Sequence, residues 1–289
     1  MIRPITVGLD GSPESLAAAD WAAREAQRRE LPLRLVHAWI WQPHDVPAAE
    51  TLATQKDWAL RILREAEEEL RGRHPDLTVS TEHLPDTAAE ALLSQAEKSD
   101  LLVLGSSGHS AVAGFLLGSV GQHVLARAKN PVVMVRANAR SAAKHDGGEV
   151  VVGLQDLGDP AGPLLEFAFG AAAARGATLH TVHAPNLPPL YGYGPAVGLP
   201  AGREDVTGRT ESALSHALKP WRDKYPQVPV VQTVDLARAS GVVLQAAAQA
   251  GLVVVGRRVH RPALGMRIGP VAHAVLHHAA APVAVVPHD

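Results

Sequence analysis

Short apolar runs alternate with helix-period stripes along the whole chain. The pattern predicts a strand over 2–9, an alanine-rich helix over 13–29 and a second strand over 33–39. Beyond a proline-bearing loop at 40–48 it predicts a charged helix over 49–73, a strand over 77–83 and a helix over 87–98. A strand over 101–104, a Gly/Ser loop, a helix over 119–128 and a strand over 132–136 complete the first half. Ser12 is placed to cap the first helix, with Pro13 at the first helical position, where a missing N–H costs nothing. The stretches 101–104 and 253–255 are apolar at every position, as expected of strands buried on both faces of a parallel sheet. Strands alternating with helices imply an α/β fold.

The pattern then repeats. Val7-Gly8-Leu9 recurs as Val152-Gly153-Leu154, and Val36-His37-Ala38 as Val182-His183-Ala184. Leu102-Val103-Leu104-Gly105 recurs as Val253-Val254-Val255-Gly256, and Pro131-Val132-Val133 as Pro282-Val283-Ala284. Four landmarks in one order mean two copies of one domain, at a spacing far too long for a solenoid. The expected division is a first domain over 1–137, a small and polar linker over 138–148, and a second domain over 149–289.

Composition narrows the classes. The 289 residues are 46% hydrophobic and 19% charged, with a formal net charge of −2 and no cysteine. This balance gives no electrostatic footprint for nucleic acid. Disulfides, thiolate metal sites and a cysteine nucleophile are excluded. The opening residues have no apolar signal core, and no run is long enough to span a membrane, so a cytoplasmic location is expected.

Candidate chemistry concentrates in Gly105-Ser106-Ser107-Gly108-His109-Ser110 and, further on, Gly118-Ser119, between a buried strand and a helix. Glycines there let backbone N–H groups approach an anion, and the helix start favours phosphate through its unpaired N–H groups and dipole. Such a loop alone is better read as a flexible surface loop with an ordinary serine cap. Asp10 adds a second element, at the end of the first strand. In an open sheet whose order reverses between strands one and four, both ends face one crevice. Asp10 is suited to accept from an amine or a ribose hydroxyl, although Asp-Gly-Ser alone is an ordinary turn. Other motifs are missing. There is no P-loop and no nucleophile elbow. The glycines of 192–198 do not fit a dinucleotide fingerprint, because Val197 stands where the third belongs. His273 and His277 lie four apart on a predicted helix without an evident third metal ligand.

Gly105-x2-Gly108-x9-Gly118-Ser119, preceded by the Asp10 strand end, resembles the ATP-binding subclass of universal stress proteins, over nearly the whole chain in tandem. The resemblance implies two flavodoxin-like (adenine nucleotide alpha hydrolase-like) domains. Each would be a five-stranded parallel sheet of order 3-2-1-4-5 with helices on both faces. It implies ATP, with Mg²⁺ where hydrolysis occurs, in the crevice of the first copy. Gly8, Asp10 and Ala38 would then hold the adenosine part. Gly105, Ser106, Gly108, His109 and Ser110 would surround ribose and phosphates, and Gly118, Ser119 and Val120 the phosphate end. It further implies stress-response regulation through an unidentified protein partner. The last strands of the two copies would pair as an intramolecular pseudo-dimer, leaving room for a homodimer. A slow Mg²⁺-dependent ATP hydrolase is the alternative, with His109 as its one candidate base, and an interaction protein with a vestigial site is another.

The second copy departs from this pattern. Val259 replaces the middle glycine, Pro270 replaces the serine and Gln155 stands where Asp10 does, followed by Asp156. Pro270 offers neither N–H nor hydroxyl. Its loop carries Arg257, Arg258, His260, Arg261 and Arg267, suited either to bind phosphate by side chain or to pair with nearby carboxylates.

Overall fold

A computed structural model describes residues 2–39, 52–106, 118–137, 147–185, 200–259 and 268–289. In the N-terminal part, strand β1 is Ile5–Gly8, shorter than the apolar run around it. Pro4 has no N–H for the ladder, and Asp10 begins a turn in which Gly11 takes φ +81°, a conformation costly for any residue with a Cβ. Helix α1, Pro13–Arg29, starts as its sequence predicts: the Ser12 side chain accepts from the Ser15 N–H and Pro13 is the first helical residue. Glu30 closes it in the left-handed region at φ 54°.

The order continues through β2 (Leu33–Ala38), α2 (Leu52–Arg73), β3 (Val79–Leu84), α3 (Ala88–Lys98), β4 (Leu101–Ser106), α4 (Ser119–Arg127) and β5 (Val132–Arg136). All pairings are parallel, in the order β3-β2-β1-β4-β5. Helices α1 and α2 cover one face, and α3 and α4 the other. Leu101, Leu102 and Val103 are fully buried, which explains why β4 tolerates no polar position until its end.

The C-terminal part repeats this build. Its elements are β6 (Val150–Leu154), a 3₁₀ turn at Asp159–Ala161, α5 (Gly162–Arg175), β7 (Leu179–His183), α6 (Pro200–Lys224) and β8 (Val230–Val234). They continue with α7 (Ala239–Ala246), a 3₁₀ turn at Ala247–Gln249, β9 (Leu252–Arg258), α8 (Pro270–His278) and β10 (Val283–His288). The parallel order is β8-β7-β6-β9-β10, the same 3-2-1-4-5 arrangement. The chain divides into two compact units, Met1–Ala143 and Lys144–Asp289. Most of the expected linker lies outside the described residues. Among the described residues no helix is long and apolar enough to cross a membrane.

One contact is shared by both units. The Nδ1 of buried His37 lies 2.7 Å from the Leu9 carbonyl, and that of His183 lies 3.0 Å from the Leu154 carbonyl. A carbonyl only accepts, so Nδ1 carries the proton in each. Each histidine thus fixes the chain where its central strand ends, which gives the repeated Val-His-Ala its structural reason.

Candidate functional site

The carboxyl ends of β1 and β4 are adjacent, with Gly8 opposite Leu104, and the strand order reverses between them. A ligand crevice is expected at such a point. A cavity of about 270 Å³ opens there. Gly8 lines it, and Val36, Ala38, Ala88, Leu92 and Met134 give it an apolar slot. Asp10, Ser12, Glu14 and Ser15 line one polar border, and Gly118, Ser119, Val120 and Gly121 line another.

At the first border, burial of the Asp10 carboxyl pushes its pKa up. Hydrogen bonds from the Ser12 and Ser15 side chains and the Ser12 N–H outweigh this and hold it below the usual aspartate range. Oδ1 accepts from the Ser12 hydroxyl at 2.5 Å and the Ser12 N–H at 2.9 Å. The Asp10 N–H in turn donates to the Ser15 hydroxyl at 3.3 Å. Asp10 is therefore a charged, acceptor-only group at neutral pH, suited to accept from a ligand donor.

At the other border, Gly118 is the N-cap of α4 and no side chain among the described residues caps the helix. The first intrahelical bond there is from Gln122 N–H to the Gly118 carbonyl. The preceding N–H groups are the unpaired donors of a helix start, aligned with its positive end. Among the described residues, a Cβ on Gly118 would meet nothing within 4 Å. The lining thus combines a carboxylate acceptor, the donors of a helix start and an apolar slot.

Gly8, Asp10, Ala38, Gly105, Gly118, Ser119 and Val120 all line this cavity. Ser106 does not. β4 runs two residues beyond the expected strand, because Gly105 and Ser106 pair with Val135 and Arg136. Ser106 is consequently buried, and its hydroxyl donates to the Val135 carbonyl. Gly105 has a steric reason for its identity: a Cβ there would lie 2.5 Å from the Glu14 carbonyl. Gly108, His109 and Ser110 lie outside the described residues. Ser15, Leu92 and Met134 are site residues that sequence reasoning missed. Leu92 follows Ala88 by four positions, so helical spacing was the one available signal.

The C-terminal unit has its own cavity, of about 210 Å³, at the ends of β6 and β9. Gln155, Asp156, Arg258 and Pro270 are in its lining. Arg258 donates to Asp156 at 2.6 Å, so this member of the Arg-rich segment pairs with a carboxylate. Arg257 is buried, whereas His260, Arg261 and Arg267 lie outside the described residues.

Comparison with known proteins decides the family. The model of the universal stress protein family matches residues 1–136 and, separately, 149–287. The chain belongs to the universal stress protein family. Universal stress protein Rv2005c of Mycobacterium tuberculosis is 34% identical over 292 residues, covering 97% of this chain and 96% of the relative. A universal stress protein of Mycolicibacterium smegmatis is 32% identical, covering 98% and 96%. Among solved structures, a universal stress protein from Archaeoglobus fulgidus matches with a TM-score of 0.67 over 98% of both chains, at 16% identity. At that identity it speaks for the fold alone: two flavodoxin-like units in tandem, as the resemblance implied.

Proposed function

We propose that the N-terminal unit binds ATP, with Mg²⁺ arriving on its phosphates, and that this universal stress protein regulates a cytoplasmic stress response through a nucleotide-dependent conformation or partner. The observation that carries the reading is the combined lining of the first cavity. Its apolar slot suits a purine, the Asp10 carboxylate suits the ribose hydroxyls or exocyclic amine, and the uncapped start of α4 with the Ser119 hydroxyl suits phosphate. Among the described residues nothing lies within 4 Å of the Gly118 Cβ position, which leaves room for close approach of a phosphate.

The test is nucleotide bound to the purified protein and released on denaturation, followed by titration calorimetry with ATP. About one ATP per chain is expected. Asp10→Ala removes the adenosine-end acceptor, and Gly118→Val fills the phosphate space, so each should abolish most binding. Since no described atom lies within 4 Å of the Gly118 Cβ position, its variant should remain folded. Unchanged titrations for both folded variants overturn the assignment. Phosphate release in the same samples separates slow hydrolysis from binding alone.

A further inference from the structure

The second cavity keeps part of the first one's apolar slot and changes the polar groups around it. Leu154, Val182 and Ala184 stand where Leu9, Val36 and Ala38 stand, and Ala239 opens α7 as Ala88 opens α3. The apolar slot is therefore rebuilt in part, with Val243 in the place of Leu92 and His288 added to the lining. What has changed is the chemistry around it. Pro270 takes the place of Ser119 and removes both a hydroxyl and an N–H donor from the helix start. Arg258 reaches the cavity but is committed to Asp156 at 2.6 Å, so its charge is already met. Gln155 replaces the carboxylate of Asp10 with an exposed amide that has no partner among the described residues. A carboxylate only accepts, whereas an amide offers a donor and an acceptor side by side, the pair that matches N6 and N7 of adenine.

We infer that the C-terminal unit is a site for an unphosphorylated nucleobase or nucleoside, with adenine-type bases matched by Gln155. It keeps much of the slot that suits a base, while its helix start lacks the hydroxyl and one N–H donor that the first cavity has. Small-molecule sites are commonly apolar with a few placed polar groups, and this cavity has that composition. The inference rests on reading the first cavity as a nucleotide site. Together the two would make the protein responsive to phosphorylated and unphosphorylated forms of one nucleoside at different places.

The experiment is equilibrium dialysis of the full chain against adenosine and, separately, ATP, each up to millimolar concentration. Saturation at about one ATP and two adenosines per chain is expected, with one adenosine not displaced by ATP. Gln155→Ala should weaken that second adenosine about tenfold, the loss of one or two neutral hydrogen bonds. Ala184→Trp should fill the slot and remove it, leaving one ATP bound. The retained ATP reports that the N-terminal unit remains intact, and amide protection in β7 and β9 checks the C-terminal fold. Two ATP per chain would overturn the inference, because the second cavity would then still hold phosphates. One ATP and one fully displaceable adenosine would overturn it while leaving the first site standing. No ATP at all would overturn the nucleotide reading itself, and this inference with it.

Discussion

Alanine at position 105 would put a methyl carbon 2.5 Å from the carbonyl carbon and oxygen of Glu14 and 2.6 Å from the Ser15 nitrogen. These are backbone atoms of the first turn of α1, with no rotamer to escape through. Favourable carbon contacts begin near 3.5 Å, so the turn must retreat by roughly 1 Å. Overpacking of this kind costs about 1–3 kcal/mol. For a unit of this size that corresponds to a drop of roughly 3–9 °C in melting temperature. Tryptophan fluorescence is a suitable signal, because Trp21 is 1% exposed on α1 and Trp221 alone lies in the C-terminal unit. The displaced turn carries Ser12 and Ser15, which hold Asp10, so ATP affinity should fall with stability. Gly118→Ala is the matched control. No described atom lies within 4 Å of its Cβ position and its φ of −56° suits any residue, so without ligand it should lose only the N-cap preference of glycine over alanine, about 1 kcal/mol or less. A Gly105→Ala protein that melts with the parent would refute the close approach of α1 to β4 and, with it, the steric reason given for this glycine.

Other outcomes follow from the same geometry. Glu30 and Gly176 both end helices in the left-handed region, at φ 54° and 59°, so Glu30→Gly should stabilise and Gly176→Ala destabilise, each by about 1 kcal/mol in urea unfolding. His37→Phe leaves the Leu9 carbonyl without its donor and should cost about 1–3 kcal/mol in the same assay. The folded pKa of Asp10 lies below its unfolded value, so its contribution is present above the unfolded pKa and is lost as pH falls through the folded one. Asp10→Asn should therefore flatten the acid limb of the stability profile. Exposure limits the change at neutral pH to about 1 kcal/mol or less.

Much of this arrangement was legible in the residues because it follows local rules. The limits of α1 come from Ser12, Pro13 and the run of alanines, and they match residue for residue. Strand ends were less legible. β3 starts at Val79 because Leu77 still donates to His74 in the turn after α2, and β4 continues through Gly105 because β5 lies alongside to pair with it. Pairing partners from elsewhere in the chain leave no mark on local pattern. The same division holds at the cavity. Asp10 and Gly118 stand out because a charge and a glycine are conspicuous after a strand and before a helix. Leu92 and Met134 look like any core residue until the fold turns them toward an open space.

The pairing of β1 with β4, Ile5 against Leu101 and Gly8 against Leu104, also has a kinetic meaning. Everything from β2 to α3 must be threaded before that seam closes, and long-range closure of this kind is the slow part of folding a parallel sheet. The Asp10 border and the α4 border meet only once it has closed. A ligand held between them would find no partner in a chain whose first three strands alone have formed. It would leave the early folding steps at their own pace and slow the opening of the finished unit, so that occupancy would set how long the unit survives rather than how quickly it forms.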